Sequence, residues 1–287
     1  PAELFPQIKE IIASPGLSLD EPVLTEAFSR QISVIGDIEC LAREIKVPVI
    51  AITGTNGKST VTTLVGEMAK KAGITTAVAG NIGAPVLDLL DDGINYDLWV
   101  LELSSFQLDL IQSLSPKAAT VLNVTPDHLD RHHSLEAYQQ AKLRIYQKAH
   151  FCLYNRDDLL TVPVLKASSD QSHFGLSKPQ TGEWGIVNQQ GKNWLAFGDK
   201  LYLSVDELCI KGRHNWQNAL AASALAHAVG IDFSVIEQVL KNFAGLPHRC
   251  QWVRSLDQVE WINDSKGTKV GAAVSAIAGI GAAIEGK

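Results

Sequence analysis

The stretch "VPVIAITGTNGKSTVTTLVGEMAKKAG" (residues 47–73) constrains the fold most. A buried apolar strand, a glycine-rich turn and an amphipathic helix follow one another without a gap. Val61, Leu64, Val65, Met68 and Ala69 recur at helical spacing on one face, and Gly73 stands where a helix C-terminus needs a left-handed residue. Strand, glycine turn and helix form the opening of a βαβ unit. The turn resembles a phosphate-binding loop, but the usual pattern has four free positions between its first glycine and Gly-Lys-Ser/Thr. Here Gly54 is only three residues before Gly57, so the loop Gly54-Thr55-Asn56-Gly57-Lys58-Ser59-Thr60 is two residues short.

Further strands are expected at 75–80, 98–104, 118–124 and 151–155, all short and rich in Val, Ile and Leu, as in a parallel sheet covered on both faces. From Ser168 to Lys211 short aromatic and β-branched runs alternate with Gln-Gln-Gly-Lys and Gly-Asp-Lys, which reads as antiparallel hairpins. Helices return at 214–230 and 234–245, "GLPHR" (245–249) reads as a hinge, and "VEWINDS" (259–265) opens another strand. The expected fold is α/β: a P-loop, doubly wound, mostly parallel sheet with a small antiparallel side sheet, plus fragments of flanking α/β domains.

At 287 residues the length prior is about two domains of ~150 residues. A hydrophobic fraction of 46% is enough for a sizeable core. The net charge of −6 gives no reason to expect a nucleic-acid or membrane-surface partner. The longest apolar run, Gly271 to Ile284, falls short of the ~20 residues of a membrane span. Cys40, Cys152, Cys209 and Cys250 lie too far apart for metal or redox spacing, which fits reduced thiols in the cytoplasm.

Glycines let a backbone approach phosphate oxygens, and a helix N-terminus adds N–H groups and a positive dipole end. Lys58 then reaches the β- and γ-phosphates and Ser59 ligates Mg²⁺, against the bland alternative of a glycine turn with a solvated lysine. Glu102 ends a buried strand, where open α/β sheets place ligands. A carboxylate facing a triphosphate needs a cation between them; otherwise it simply points to water. "NVTPDHLDRH" (123–132) gathers imidazole and carboxylate groups after another buried strand. Lys142, in "SLEAYQQAKLRIYQKA" (134–149), reads on its own as a surface helix lysine, and Ser134 as that helix's N-cap.

"TGTNGKST" resembles the ATP signature of the Mur ligase superfamily, whose loop is short in the same way. The resemblance runs from about Ile35 to Lys269 through "AGNIGAPV", "VLELSSFQLD", "NVTPDHLDRH", "KGRHNWQNALAA", "GLPHR" and "NDSKGTK". It implies an ATP-dependent carbon–nitrogen ligase using two Mg²⁺ ions. By it, Ser59, Glu102, His128 and Lys142 hold metal, Lys142 as a CO₂-derived carbamate; Lys58, Lys142 and His128 are catalytic. Asn218, Arg249, Asp264, Lys266 and Thr268 join the loop in ATP binding, and Asn81 and Ser14 touch the acceptor substrate. Asn81 alone is equally what a turn needs, and His214 equally a cap or core histidine.

Within the family, "LELSSFQL", "GLPHR" and "NDSKGTK" are most similar to the member that joins D-glutamate to UDP-N-acetylmuramoyl-L-alanine in cytoplasmic peptidoglycan-precursor synthesis. A member adding the third amino acid, and a non-catalytic nucleotide-binding module, remain alternatives. The implied partners are small molecules only, with a monomeric protein. Residues 1–36 are expected to be the tail of a UDP-sugar domain, 37–245 the ATP domain and 246–287 the start of a C-terminal α/β domain. On that expectation the chain is truncated at both ends and does not ligate by itself.

Overall fold

The structure, a computed structural model, describes residues 5–164, 170–267, 273, 274 and 277. Most of the apolar run 271–284 lies outside the described residues, as does Thr268. The chain opens with β1 (Glu10–Ile12), α1 (Pro22–Ser29) and β2 (Ser33–Ile35); β1 and β2 pair in parallel. Phe5, Ala13, Leu24, Ala27 and Val34 close a small core of their own with Leu110.

The main body follows. α2 (Asp37–Glu44) leads into β3 (Val49–Thr53) and α3 (Lys58–Lys71), then β4 (Thr76–Gly80), α4 (Val86–Leu90) and β5 (Leu98–Glu102). Next come α5 (Ser105–Asp109), β6 (Ala118–Val121), α6 (Leu129–His132), α7 (Leu135–Leu143) and β7 (Phe151–Asn155). β8 (Asp170–Phe174) adds a parallel strand, and β9 (Trp184–Gln189), β10 (Lys192–Phe197) and β11 (Lys200–Ser204) run antiparallel. Two helices, α8 (Arg213–Ala228) and α9 (Phe233–Asn242), precede the hairpin β12 (Gln251–Leu256) and β13 (Val259–Asn263).

The nine-stranded sheet has the order β11-β10-β9-β8-β7-β6-β3-β5-β4. All five residues of β3 are buried, and they divide between two cores by strand alternation. Ile50 and Ile52 face α3, α8 and α9; Val49 and Ala51 face the opposite layer of α2, α5 and α7. β3 therefore lies mid-sheet, between β5 and β6, with its carboxyl end at the crevice where such sheets bind ligands.

The expected apolar face of α3 is fully buried, and the helix stops as expected. Gly73 has φ +82°, and the Ile74 N–H reaches back to the Ala69 carbonyl at 3.0 Å. Ser134 caps α7 by accepting from the Ala137 N–H at 3.1 Å. The antiparallel strands expected between 168 and 211 are present and prolong the main sheet, joined to β8 through Phe174 opposite Trp184. "VEWINDS" does form a strand, but β12 precedes it. No helix among the described residues is long and apolar enough to cross a membrane.

Burial lowers the pKa of His173, His214 and His227 from 6.5. The unfolded chain then binds more protons than the native one as pH falls below about 6.5, so these histidines take stability away in that window. Burial would raise Glu39, but the N–H groups of Ser113 and Gln112 and the Arg43 side chain outweigh it and leave its pKa lowered. Its contribution disappears at still lower pH, in the same direction. The thermal midpoint should fall steadily from pH 7 to pH 4, with a shallower slope above pH 5 in His227→Gln; a flat profile contradicts the assignment.

Candidate functional site

The loop after β3 is held from outside. The Asn123 carboxamide clamps Asn56 on both sides, accepting from its N–H at 2.8 Å and donating to its carbonyl at 3.1 Å. The Thr55 N–H donates to the Asn123 carbonyl at 2.9 Å, and Thr55 Oγ1 accepts from the Thr125 N–H at 3.0 Å. Gly57 begins the helix at φ +83°, and a Cβ there would stand 2.5 Å from Asn218 Oδ1. Gly57→Ala should therefore cost about 1–2 kcal/mol for the left-handed backbone alone, and more for displacing Asn218. Chemical denaturation of the variant checks this; unchanged stability contradicts it.

Two lysines converge on one carbonyl. Lys58 Nζ donates to Gly54 O at 2.9 Å and Thr55 O at 3.1 Å. Lys142 Nζ, from α7, donates to the same Gly54 O at 3.0 Å and lies 4.4 Å from the Tyr138 ring centroid. Lys142 is 1% exposed, so the surface-lysine reading is wrong. Helix α7 turns that face onto the loop because Tyr138 packs into the core beneath the sheet, with Ala141 buried beside Lys142 in the helix.

Glu102 is 2% exposed at the end of β5. Its Oε1 accepts from Asn81 Nδ2 at 3.0 Å, while its Oε2 is buried with no hydrogen-bond partner. Gly80 allows this close pairing: a Cβ there would lie 2.2 Å from Glu102 O. An orphaned carboxylate oxygen in the interior costs about 1–3 kcal/mol, more if charged, and a cation would relieve it. Among the described residues no three His, Cys, Asp or Glu side chains converge. A divalent ion here would need ligands other than a cluster of such side chains to complete its shell around Glu102.

His128 caps α6 in a left-handed conformation, with Nε2 3.6 Å from Asp127 Oδ2 and its ring edge-on to Phe106 at 5.0 Å. His132, which had no assigned role, bonds through Nε2 to Ser105 Oγ at 2.9 Å and stacks on Phe106; burial lowers its pKa. Arg131 lies over the Phe106 ring, 4.8 Å from its centroid, and donates to the carbonyls of Gly16 and Leu17. The "SPG" turn is thereby tied to α6. Ser14 itself is exposed and accepts from the Gly16 N–H at 3.3 Å.

A cavity of about 270 Å³ opens beside the loop. Asn56, Gly57 and Thr60 line it with His214, Asn215, Asn218, Arg249 and Asp264, and Leu122, Phe174 and Ile210 supply apolar wall. Arg249 donates to Ser59 Oγ at 3.1 Å, so the two expected phosphate-side residues meet. Asp264 accepts from the Cys250 N–H at 3.0 Å. Lys266 is exposed and outside the lining, although its neighbour Gly267 belongs to it. Sequence reasoning missed Asn123, Asn215 and Tyr138; Asn123 and Asn215 sit inside the motifs already singled out, as polar residues beginning a loop and a helix.

A glycine-loop cavity at the carboxyl edge of a doubly wound sheet defines a nucleotide-site class of α/β protein. Residues 52–226 match the family model of the Mur ligase middle domain, and the chain belongs to the Mur ligase family. It is 62% identical over its whole length to UDP-N-acetylmuramoylalanine–D-glutamate ligase of Legionella pneumophila strain Paris, and 50% identical to the ligase of that name from Pseudomonas aeruginosa. The chain spans 65% and 63% of the length of those two relatives, respectively. Among solved structures, a pseudomurein peptide ligase type C from Methanothermus fervidus superposes with a TM-score of 0.66 at 21% identity, over 97% of this chain and 66% of that one. UDP-N-acetylmuramate-alanine ligase from Thermotoga maritima gives 0.60 at 23% identity, over 89% and 60%. These two likenesses concern the fold.

Proposed function

We propose that the chain carries the ATP site of a cytoplasmic, monomeric ligase that adds D-glutamate to UDP-N-acetylmuramoyl-L-alanine. The observation that carries this is the convergence of Lys58 and Lys142 on the carbonyl of Gly54, just past β3, with an orphaned Glu102 oxygen at the end of β5, the strand paired to β3. A plain nucleotide-binding module has no use for a buried second lysine there. The identity to the D-glutamate ligases supports the choice of amino acid.

In this reading the γ-phosphoryl group passes from ATP to the substrate's terminal carboxylate, giving ADP and an acyl phosphate. The D-glutamate amine then attacks the acyl carbon, phosphate leaves, and the amine gives up a proton as the amide forms. Lys58 and Arg249 lie where they would hold the β- and γ-phosphates, and the α3 N-terminus adds its dipole. Ser59, Glu102, His128 and Lys142 as its carbamate would hold two Mg²⁺ ions, which would supply charge neutralisation at the phosphates. The orphaned Glu102 oxygen and the buried Lys142 amine fit that role; a buried, deprotonated amine can capture CO₂. Asn218 reads the base, Asp264, Lys266 and Thr268 border the ribose and phosphates, and Asn81 and Ser14 belong to the acceptor side.

The domain division at 36/37 and 245/246 goes with this function. The small core around Phe5 and Leu24, which Leu110 joins from the main body, and the exposed β12–β13 pair support it. Closure of such parts over the site would shield the acyl phosphate from water. The test is a graft in which this chain replaces the matching segment of the Legionella pneumophila relative. Phosphate release is measured with Mg-ATP and UDP-N-acetylmuramoyl-L-alanine, with D-glutamate, meso-diaminopimelate or L-lysine. Release stimulated by D-glutamate alone is expected.

A further inference from the structure

Helix α6 is a single turn, closed at both ends by non-glycine residues in the left-handed region, His128 at φ +51° and His133 at φ +63°. Such backbone persists only where its surroundings hold it. The Phe106 ring is one support: His128 meets it edge-on at 5.0 Å, His132 stacks on it at 5.3 Å, and the Arg131 guanidinium lies 4.8 Å from its centroid. The other support comes from the N-terminal part of the chain. Arg131 donates to the Gly16 carbonyl at 3.3 Å and to the Leu17 carbonyl, and hydrogen bonds from a charged donor are the strong kind. The turn that receives them is itself tight: the Leu17 N–H donates to the Ser14 carbonyl at 3.0 Å and the Gly16 N–H to Ser14 Oγ at 3.3 Å. Ser14, Arg131, Phe106 and His128 thus form one continuous chain of contacts.

The other links between this N-terminal part and the main body bypass α6. Arg43 holds Glu10 through bonds of 2.8 and 2.9 Å, and Leu110 enters the small core. His133 and Asp20 stand 3.5 Å apart, but both are largely exposed and such a pair is weak.

We infer that Arg131 is a positioning residue that makes the acceptor substrate and the metal–nucleotide bind cooperatively. The inference rests on the proposed acceptor role of Ser14 and metal role of His128. The two carbonyl bonds form only when the turn and α6 are in register. A ligand that settles the turn therefore settles α6 and His128 in advance, and the reverse holds equally.

The experiment is titration calorimetry on the grafted ligase with the Mg²⁺ complex of the non-hydrolysable ATP analogue AMP-PNP, with and without saturating UDP-N-acetylmuramoyl-L-alanine. The acceptor should tighten wild-type nucleotide binding at least about fivefold, and nucleotide should tighten acceptor binding by the same factor. Arg131→Met keeps an apolar stem beside Phe106 and loses both carbonyl bonds; the factor should fall to within about twofold of unity. Phe106→Leu keeps those bonds and cuts the link to His128, so it should lose the factor too. Arg43→Met cuts a tie that bypasses α6: its thermal midpoint should fall while the factor stays. A factor that survives in Arg131→Met or Phe106→Leu, or is lost in Arg43→Met, overturns the inference. A wild-type graft that binds both ligands without mutual effect overturns the coupling and leaves the proposed function standing; one that binds no acceptor overturns both.

Discussion

Replacing Lys142 by alanine in the grafted ligase lowers D-glutamate-dependent phosphate release by about 10²–10³-fold, the scale of losing one electrostatic contact to a transition state. The side chain is buried against Tyr138 and ends at the loop carbonyl, so its terminal atoms lie beside the place proposed for the phosphates. Truncation leaves room for a small carboxylate in place of the proposed carbamate. Added formate or acetate should therefore restore part of the rate. If Lys142 only packed the helix, the thermal midpoint would fall and neither carboxylate would restore activity.

Glu102→Gln separates charge from shape. The variant keeps an oxygen to accept from Asn81 Nδ2 and removes the unpartnered carboxylate oxygen. Burying a neutral amide costs less than burying a charge. Without nucleotide the thermal midpoint should stay level or rise. With Mg-ATP the stabilisation should shrink, because the cation loses its anionic partner, and affinity should drop about tenfold or more. Equal stabilisation of wild type and variant by Mg-ATP contradicts a metal role for Glu102.

These residues differ in how far the sequence revealed them. The glycine loop and α3 are local: strand, turn and apolar face lie within one continuous stretch, and periodicity suffices. Lys142 is different, because nothing in its neighbours says that it is buried; that comes from α7 packing against the sheet and only resemblance pointed to it. The Asn123 clamp joins residues far apart in the chain, so no local pattern contains it. β12 escaped notice because every residue of Gln251–Leu256 is exposed, which leaves no alternation of apolar and polar positions to read. The antiparallel strands were legible as hairpins, but their attachment to β8 rests on the single Phe174–Trp184 pairing, which sequence does not encode locally.

The most direct test of the proposed activity is phosphate release by the grafted ligase with Mg-ATP and UDP-N-acetylmuramoyl-L-alanine, with and without D-glutamate. Release that rises with D-glutamate, and not with meso-diaminopimelate or L-lysine, is the expected result. A folded graft that binds Mg-ATP yet releases no phosphate with D-glutamate, or responds to another amino acid instead, contradicts it.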